Sequence, residues 1–323
     1  MSLAVAICTH NRPEQVARAL GSAVTQVPEP LQVIVVDNAP PDDLTRNLVR
    51  DRFPRVHYEQ ESAQGLDFAR NRALAVATAD VVAFLDDDAI AAPGWAAALL
   101  EVFEKNPEVL VCTGRVEALG RDTPGERVFE ANGGFSRGMA RIELPSDAKR
   151  LLHGRQAPLI AWAVSVGSGC SYAVRRSAAL TLGGFDEALD LGADLPGGGD
   201  HDLLWRALQA GHSVVYEPAA LAWHEHRSEA DAAHAQVVGH QRALSAFLIK
   251  HVVLSRDGRR LSLAGYLAWR LIKPGVRLLR RAFGRDPLPA PVLGRMWWHS
   301  WAGLTAYPRA RRLANTRRQA LAR

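Results

Sequence analysis

The sequence contains few cysteines, and their spacing excludes a disulfide framework and a cysteine-based zinc site. Cys8, Cys112 and Cys170 are the three cysteines in 323 residues, and no Cys-x-x-Cys pair occurs. Disulfide-stapled domains and zinc fingers both depend on closely spaced cysteine pairs. The cysteine usage therefore favours a reducing, cytoplasmic setting.

Long apolar segments are also lacking. The longest uncharged run covers residues 156–174, and Gly167, Ser168 and Gly169 interrupt its apolar character. A bilayer-spanning helix needs about 20 predominantly apolar residues. No basic region precedes the first apolar segment at Leu3, which argues against a signal peptide. We therefore expect no segment that crosses a membrane.

The common glycine-rich nucleotide-binding motifs are missing. No Gly-x-Gly-x-x-Gly motif follows the first apolar segment, and no Gly-x-x-x-x-Gly-Lys-Ser/Thr motif occurs anywhere in the chain. The sequence therefore argues against a dinucleotide-binding fold of the usual kind and against a P-loop. Phosphate groups would have to be held in another way, for example by a metal ion.

The composition is that of a globular protein, with 48% hydrophobic and 23% charged residues. A length of 323 residues allows one large domain or two smaller ones. The formal net charge is only +5, but acids cluster in the first 230 residues and arginines in the remainder. This uneven distribution suggests that the two parts of the chain have different surroundings.

Short β-type runs alternate with helix-type segments in the N-terminal part. The predicted strands comprise residues 3–8, 33–36, 56–59 and 81–85. Pro13 stands where a helix can start, and residues 14–24 have apolar side chains at helical spacing. This alternation predicts an α/β fold with a doubly wound, mostly parallel sheet flanked by helices.

Polar side chains follow three of these predicted strands. They lie in the segments 9–12, 37–38 and 86–88. Because open α/β sheets bind ligands at the carboxyl ends of their strands, we expect a nucleotide at this edge. The candidate nucleotide-contacting residues here are Thr9, Asn11, Arg12, Asp37, Asp86 and Asp87.

Three consecutive carboxylates, Asp86, Asp87 and Asp88, end the apolar run 81–85. Adjacent like charges repel unless a positive group lies among them, and carboxylates are preferred ligands of Mg²⁺ and Mn²⁺. Asp86 and Asp88 would share one face of an extended segment, and Asp87 the other. The triplet therefore predicts a divalent cation site, with a solvated acidic turn as the alternative.

A glycine and a predicted helix precede the acidic triplet. Gly65 is followed by a helix that begins near Asp67, and its first turn should face the same edge of the sheet. Arg70 or Arg72 on this helix could contact a base or a phosphate, because a guanidinium binds oxyanions through paired donors. The alternative is an exposed helical arginine.

Together these motifs resemble those of family 2 glycosyltransferases with the GT-A fold. The matching segments are 6–12, 33–38, 65 with 69–71, 84–88, 167–176, 183–187, and 198–203 with 206 and 210–212. The likeness extends from about Leu3 to Arg227. It implies a GT-A-type fold and the transfer of a sugar from a nucleoside diphosphate sugar, with UDP-, dTDP- and GDP-sugars as candidate donors.

The resemblance also implies roles for individual residues. Asp37 should hold the base or ribose, and Asp86 the ribose or the metal. Asp88 and His224 should hold the metal that bridges the diphosphate, and His226 is the less favoured alternative to His224. An ordinary hydrogen-bonded histidine remains the alternative for either imidazole.

Asp200 is the general base by the same resemblance. It should accept the proton of the acceptor hydroxyl during a single displacement, which inverts the anomeric carbon. The family often has Glu immediately before this Asp, and here that place is taken by Gly199. The structural alternative is that Asp200 only caps the helix predicted over 203–209.

The implied activity is that of a metal-dependent hexosyl- or deoxyhexosyltransferase in cell-envelope polysaccharide, glycolipid or glycoconjugate synthesis. No Gln-x-x-Arg-Trp element of processive synthases occurs, which favours the addition of one or a few sugars. Two alternatives stay open: a nucleotidyltransferase, although a basic glycine-rich loop is missing, and a non-catalytic nucleotide-sugar binding protein. The His201-Asp202 dipeptide is a weak indication of a metal phosphohydrolase. The acceptor is not readable, because the loop 120–159 has no recognisable motif.

We expect a catalytic domain over residues 1–228, with a donor-binding half at about 1–115 and an acceptor half at about 116–228. The region 229–323 is basic and tryptophan-containing, with helices predicted over 237–253 and 261–283, the second interrupted at Pro274-Gly275. Trp297, Trp298 and Trp301 lie among arginines, a combination that suits the inner face of the cell membrane and a lipid-linked acceptor. Helices that only cover the catalytic domain are the alternative, and no nucleic-acid partner is expected.

Overall fold

The computed structural model describes residues 1–145, 150–152, 155–193 and 195–321. The strands are β1 Leu3–Thr9, β2 Gln32–Asn38, β3 His57–Glu61, β4 Val81–Leu85, β5 Ala89–Ala91, β6 Val109–Ala118, β7 Ile142–Leu144, β8 Arg150–Leu152, β9 Arg155–Ala157, β10 Ser171–Arg175 and β11 Ser213–His224. The α-helices are α1 Pro13–Ala23, α2 Leu44–Arg52, α3 Leu66–Val76, α4 Trp95–Lys105, α5 Pro124–Ala131, α6 Leu159–Val166, α7 Arg176–Thr181, α8 Gly199–Gln209, α9 Ala230–Leu254, α10 Arg259–Ala282, α11 Ala290–Ala302 and α12 Ala306–Leu321.

Nine strands form a mixed central sheet in the order β3-β2-β1-β4-β10-β6-β11-β5, with β7 also paired to β11, and β8 and β9 form a separate two-stranded sheet. The α/β class with flanking helices is confirmed. Strands β3, β2, β1 and β4 are parallel, as expected for the donor-binding half. Beyond β4 the sheet is mixed, because β10 pairs antiparallel to both β4 and β6. The expected parallel order therefore applies to the first half of the sheet and to the β6–β11 pair.

Helices cover both faces of the sheet, which explains why β1 and β4 are apolar except for Thr9 at the end of β1. All residues of both strands are buried. On one face they pack against α1 and α4, with Leu20 and Trp95 fully buried. On the other face they pack against α3, α8 and α9, with Leu203 and Phe247 fully buried. The polar residues that follow each strand are thereby placed at the sheet edge.

Strand β11 is longer than expected. We expected a turn at Glu217-Pro218, but the strand continues from Ser213 to His224 along β6. Its register shifts between Glu217 and Leu221, and this irregularity accommodates Pro218, which has no backbone N–H to donate. The extension brings His224 to the same sheet edge as the acidic triplet.

The C-terminal region is helical, as predicted. Leu263, Leu267 and Leu271 of α10 belong to the same buried cluster as the sheet residues. The interruption expected at Pro274-Gly275 does not occur, because α10 contains Pro274 in its interior. Among the described residues, no helix is both long and apolar enough to cross a membrane.

Candidate active site

An open cavity of about 670 Å³ lies at the carboxyl ends of β1 and β4. Most of the predicted site residues line it, namely Thr9, Arg12, Arg70, Asp86, Asp87, Asp88, Asp200 and His224. Helices α8, α9 and α10 contribute the opposite walls. The strand ends are therefore brought together with residues that follow them by more than one hundred positions.

Arg12 and Thr9 supply the partners of the central carboxylate. The hydroxyl of Thr9 donates to Asp87 Oδ2 at 2.8 Å, and Arg12 Nη1 donates to Asp87 Oδ1 at 3.0 Å and to Asp88 Oδ2 at 3.1 Å. One positive group thus lies among the acids. Burial still raises the pKa of Asp86 to about 6, although the charge of Arg70 opposes this rise. Because these carboxylates lie close together, a further cation would stabilise their ionised forms.

His224 reaches the acidic triplet from the end of β11. Its Nε2 lies 3.2 Å from Asp88 Oδ1, and its Nδ1 lies 3.0 Å from His226 Nδ1. The Nε2 atom of His226 is in turn 3.0 Å from Glu130 Oε1. If His226 donates to Glu130, its Nδ1 accepts from His224, which leaves the Nε2 lone pair of His224 directed to the triplet. His224 therefore faces the acids, and His226 orients it from behind.

The donor atoms at this point fit a hard divalent cation. Ligand atoms of Asp86, Cys170 and His224 lie within 4.8 Å of one another, next to the contact between His224 and Asp88. Carboxylate oxygens and an imidazole nitrogen suit Mg²⁺ or Mn²⁺. Cys170 is a poor ligand here, because burial raises the pKa of its thiol well above its ordinary value. Asp88 and His224, with Asp86 beside them, are the residues that can hold the ion.

Arg70 is buried among carboxylates rather than exposed on its helix. Its Nη1 donates to Asp67 Oδ1 at 3.0 Å and to Asp190 Oδ2 at 3.3 Å, and its Nη2 lies 3.9 Å from Asp86. The side chain is only 5% exposed, yet it lines the cavity. Arg72, the alternative, points elsewhere and pairs with Glu59. Arg70 thus connects α3 to the acidic triplet.

Gly199 has no room for a side chain. A Cβ atom at this position would lie 1.8 Å from Asp67 Oδ2, and the Gly199 N–H donates to Asp190 Oδ2 at 3.1 Å. The carboxylates of Asp67 on α3 and of Asp190 in the loop before α8 therefore occupy the space beside residue 199. This packing explains why residue 199, immediately before Asp200, is a glycine and not the Glu that the family often has at this position.

Asp200 lies in the first turn of α8 and lines the cavity. Its Oδ1 accepts from the backbone N–H of His201 at 2.8 Å and lies 2.8 Å from His201 Nδ1. Burial acts to raise the pKa of Asp200, but the charge and hydrogen bonds of His201 have the larger combined effect and lower it below its ordinary value. The carboxyl is therefore ionised at neutral pH. The same pair raises the pKa of His201 above 6.5, against the effect of burial.

Two glycines give the cavity its shape near Asp200. A Cβ atom on Gly169 would lie 2.6 Å from Arg70 Nη2 and 3.3 Å from Asp200 Oδ2. A Cβ atom on Gly167 would lie 3.0 Å from the His201 ring. Glycine at both positions keeps the space beside the carboxylate open.

Asn11 and Asp37 lie beside the cavity and are not among its described lining residues. Asn11 is exposed, with φ +54°. Asp37 is fully buried at the end of β2 and accepts from the Tyr58 hydroxyl at 2.9 Å. Its Oδ1 has no partner among the described residues, and burial raises its pKa.

Asp202 has a structural environment instead of a metal-binding one. Its carboxylate is fully buried and contacts Arg206 on α8 together with Lys250 and His251 on α9. The His201-Asp202 dipeptide therefore joins two different networks, because successive helical residues point in different directions.

Sequence reasoning missed several residues around the site. It did not assign Asp67, Asp190 or Glu130 to the site, and it passed over His240, which lies on the cavity wall. Asp67 had a detectable signal, since it precedes Arg70 by three positions on a predicted helix. The other three lie in segments without a motif.

The fold is of the GT-A type, and the cavity lies at the carboxyl ends of its parallel strands. The sequence profile of Glycosyl transferase family 2 matches residues 4–183, more than half of the chain, so the protein belongs to this family. A solved structure with a similar fold is the mannosyltransferase PcManGT of Pyrobaculum calidifontis, in complex with GDP-Man and Mn²⁺. It superposes with a TM-score of 0.58 at 19% identity, over 96% of this chain and 86% of that one.

Two curated relatives are similar in sequence. A pre-mycofactocin glycosyltransferase of Mycobacterium tuberculosis is 32% identical over 205 residues, which cover 62% of this chain and 38% of the relative. A glucosyl-dolichyl phosphate glucuronosyltransferase of Haloferax volcanii is 31% identical over 123 residues, which cover 36% of this chain and 38% of the relative. The matches thus span less than half the length of either relative.

Proposed function

We propose that the chain transfers a sugar from a nucleoside diphosphate sugar to an acceptor hydroxyl, with inversion and with a divalent cation. The observation that carries this proposal is the placement of Asp88, His224 and Asp200 on one cavity. A displacement of this kind needs a cation for the leaving diphosphate and a base for the attacking hydroxyl. Both kinds of group lie within reach of the same space.

The donor belongs at the ends of β1, β2 and β4. Asp37, with its unpartnered buried oxygen, would hold the base or ribose, and Asp86 the ribose or the cation. Thr9 and Arg12 orient Asp87 and keep the triplet in place. The GDP-Man and Mn²⁺ bound to the Pyrobaculum enzyme support a nucleotide sugar and a divalent cation, with UDP- and dTDP-sugars as further candidates.

In the proposed transfer step Asp200 is the general base. When bound, the cation would neutralise the departing diphosphate. Asp200 accepts the proton of the acceptor hydroxyl as that oxygen attacks the anomeric carbon from the face opposite the diphosphate. His201 holds the carboxylate in position, and Gly169 leaves space for the acceptor. One displacement gives inversion.

The proposed functional parts follow one another along the chain. Residues 1–228 would form the catalytic unit, with donor and acceptor halves that meet near residue 115, and 229–323 a helical extension. Addition of one or a few sugars to a cell-envelope polysaccharide, glycolipid or glycoconjugate fits this arrangement.

The helical extension would also place the enzyme on the inner face of the cell membrane. Large apolar side chains on α10 and α11 are exposed, including Leu279 at 63%, Phe283 at 71% and Trp298 at 73%. Exposed arginines, among them Arg280 and Arg295, accompany them. Apolar side chains beside cations suit an anionic bilayer surface, where a lipid-linked acceptor would be presented.

A donor panel tests the proposed reaction. UDP-, dTDP- and GDP-sugars are incubated with the full chain, with Mn²⁺, with Mg²⁺ or with excess chelator, and nucleoside diphosphate release is measured. We expect release from one donor class, its loss in chelator and its recovery with metal. Activity that persists in excess chelator would contradict the role of the cation. Pyrophosphate release from a nucleoside triphosphate would instead indicate a nucleotidyltransferase, and donor binding without turnover a binding protein.

The metal ligands are tested by Asp88→Asn and His224→Gln. Each substitution should weaken Mn²⁺ binding, measured by calorimetry, and lower donor turnover by at least tenfold, because one of few ligands is lost. Glu225→Gln is the matched control, since this neighbouring carboxylate is half-exposed and pairs with Arg18. Unchanged Mn²⁺ affinity in both variants would remove Asp88 and His224 from the site.

A further inference from the structure

The two walls of the cavity differ in charge. All five aspartates of the described lining come from the sheet edge, from α8 and from the loop before α8: Asp86, Asp87, Asp88, Asp190 and Asp200. The wall built by the segment 129–137 and by α9 and α10 contributes Arg137, His240, Gln241 and Arg270, and no carboxylate among the described residues. The side with the aspartates also carries Arg12, Arg70 and Arg227, so it holds charges of both signs, whereas the charged groups of the described opposite wall are all basic.

Arg270 on α10 is a cation without an acidic partner in the described part of the chain. Its Nη2 donates to Gln241 Oε1 at 3.1 Å, and its buried Nε has no partner. The Tyr266 hydroxyl also interacts with its guanidinium, and the charges of Arg277 and Lys273 that act on it are positive. Arg277 already pairs with Asp286. Burying a cation costs free energy unless an anion compensates, so this site favours an anionic ligand.

Arg137 reinforces the wall without neutralising it. Its guanidinium donates to backbone carbonyls, including Gly134 O at 3.1 Å and Ser136 O at 3.0 Å. Carbonyl groups fix the direction of the side chain but leave its full positive charge facing the cavity. Arg137 and Arg270 therefore both lack a described carboxylate partner.

His240 places this wall next to the base. Its side chain is partly buried, burial lowers its pKa to about 4, and the charge of Asp200 acts in the opposite direction. A neutral imidazole beside Asp200 can donate one hydrogen bond to a ligand. The amide nitrogen of Gln241 can donate as well, since the amide oxygen accepts from Arg270. The wall therefore borders the position of the attacking hydroxyl and offers donors to an oxyanion.

We propose that this wall, formed by Arg137, His240, Gln241 and Arg270, binds a phosphate ester carried by the acceptor. The proposal rests on the proposed transferase function, because it takes Asp200 to mark the acceptor position. The donor diphosphate belongs with Asp88 and His224. The second anion site then selects acceptors that carry their own negative charge. A guanidinium fork with amide and imidazole donors matches the geometry of a phosphate.

The test measures binding of charged and neutral probes to the full chain. Geranyl phosphate and glucose 6-phosphate are compared by calorimetry with geraniol and glucose, with UDP, dTDP, GDP and Mn²⁺ present in excess to fill the donor site. We expect at least one phosphate to bind tenfold or more tightly than its neutral counterpart. Preference for geranyl phosphate indicates a lipid-linked source, and preference for glucose 6-phosphate a soluble one.

Substitutions connect this preference to the wall. Arg270→Gln should reduce the preference for the phosphate about tenfold, Arg270→Lys should retain part of it, and the exposed Arg260→Gln on the same helix should leave it unchanged. Arg270→Lys keeps the charge and so covers the case in which the glutamine variant does not fold. Absence of any phosphate preference, or an equal preference in Arg270→Gln and wild type, would overturn the proposal.

The same experiment separates this inference from the proposed reaction. Donor hydrolysis without acceptor depends on the cation site, so it should be equal in the wild type and in the exposed control Arg260→Gln, and Arg270→Gln should lose its phosphate preference by a larger factor than its donor hydrolysis. A wild-type chain that prefers the phosphate but turns over no donor would contradict the proposed transferase function and still support the anion site. Loss of donor hydrolysis in Arg270→Gln would assign Arg270 to the donor and would contradict the acceptor site.

Discussion

Asp200 and His201 form a pair in which each controls the protonation of the other. The two share a 2.8 Å contact, which lowers the pKa of Asp200 and raises that of His201. While His201 is protonated, its charge lowers the pKa of Asp200 and weakens the carboxylate as a base. The strength of the base should therefore depend on the charge of its neighbour.

Replacement of Asp200 tests the base itself. Asp200→Asn keeps the shape but cannot accept a proton, so turnover should fall by roughly 10²–10⁴ while donor affinity stays near wild type. Asp51→Asn, at an exposed carboxylate on α2, is the control. Near-wild-type turnover in Asp200→Asn would reduce this residue to a structural role in the first turn of α8.

The pH dependence tests the pair. The pKa of His201 is raised above 6.5, so its positive charge beside Asp200 is lost only as the pH rises through that higher value. Turnover should therefore increase with pH along a limb whose midpoint lies above 6.5. His201→Gln should flatten this limb, because no titrating proton remains beside Asp200. A limb that is the same in both proteins would assign it to another group.

At the scale of elements, the junction between α8 and α9 holds the base in place. Asp202 is fully buried, and its Oδ2 accepts from Arg206 Nε at 2.7 Å within α8. Its Oδ1 contacts His251 Nε2 at 2.8 Å and the ammonium of Lys250, both on α9. Asp200 and Asp202 thus use opposite sides of one helical turn, one for the cavity and one for the attachment of α9.

Breaking this junction should destabilise the whole chain. Asp202→Asn removes a counter-charge from Arg206 and Lys250, although Lys250 keeps its contact with Asp186, and we expect the free energy of unfolding in urea to fall by about 3 kcal/mol. The pKa of Asp202 is lowered, so its contribution is present above the ordinary carboxyl value of 3.8 and is lost as the pH falls below it. The difference from wild type should shrink in that range.

Asp51→Asn again provides the comparison for stability. Because this carboxylate is exposed, its loss should change the free energy of unfolding by less than about 0.5 kcal/mol. An equally small change in Asp202→Asn would show that the junction contributes little to stability.

At the scale of the whole molecule, the C-terminal helices have two apolar sides. One side of α10 packs into the core through Leu263 and Leu267, and α9 and α10 also build the cationic wall of the cavity. Another side leaves Leu279 and Phe283 exposed. A helix that only covered the catalytic domain would need the first side alone, so the second is the reason to expect a membrane surface.

Vesicle co-sedimentation tests this expectation with the full chain. Pelleting should occur with anionic vesicles, weaken at high salt and be low with neutral vesicles, because each basic residue near an anionic surface contributes on the order of 1 kcal/mol. The double variant Leu279→Gln, Phe283→Gln should bind about tenfold or more weakly, since two apolar side chains no longer enter the bilayer.

The control replaces exposed apolar residues far from the C-terminal helices. Leu31→Gln, Leu44→Gln alters two side chains of similar exposure, 59% and 57%, and should pellet like the wild type. Equal pelleting of both double variants, or no pelleting of the wild type, would leave the C-terminal helices as a structural cover only.

Local pattern was enough to determine the first half of the sheet and the motifs at its strand ends. Apolar runs such as 81–85 mark buried strands, and parallel strands of a βα alternation must end at one edge, so Thr9, Arg12 and Asp86 to Asp88 could be placed together from sequence. The position of Asp200 at a helix start was readable for the same reason. Each of these inferences depends on neighbours within a few positions of the chain.

Tertiary structure alone decided which distant groups meet. His224, which the sequence already favoured over His226, faces the acids because of the register of β11. The contact of Arg70 with Asp190 and the packing of Asp67 against Gly199 could not be read from the sequence. The cationic wall depends on how α9 and α10 cross the cavity. Several of these contacts join residues more than one hundred positions apart. Sequence periodicity reports only which face of an element is buried, so it carries no information about contacts between distant elements.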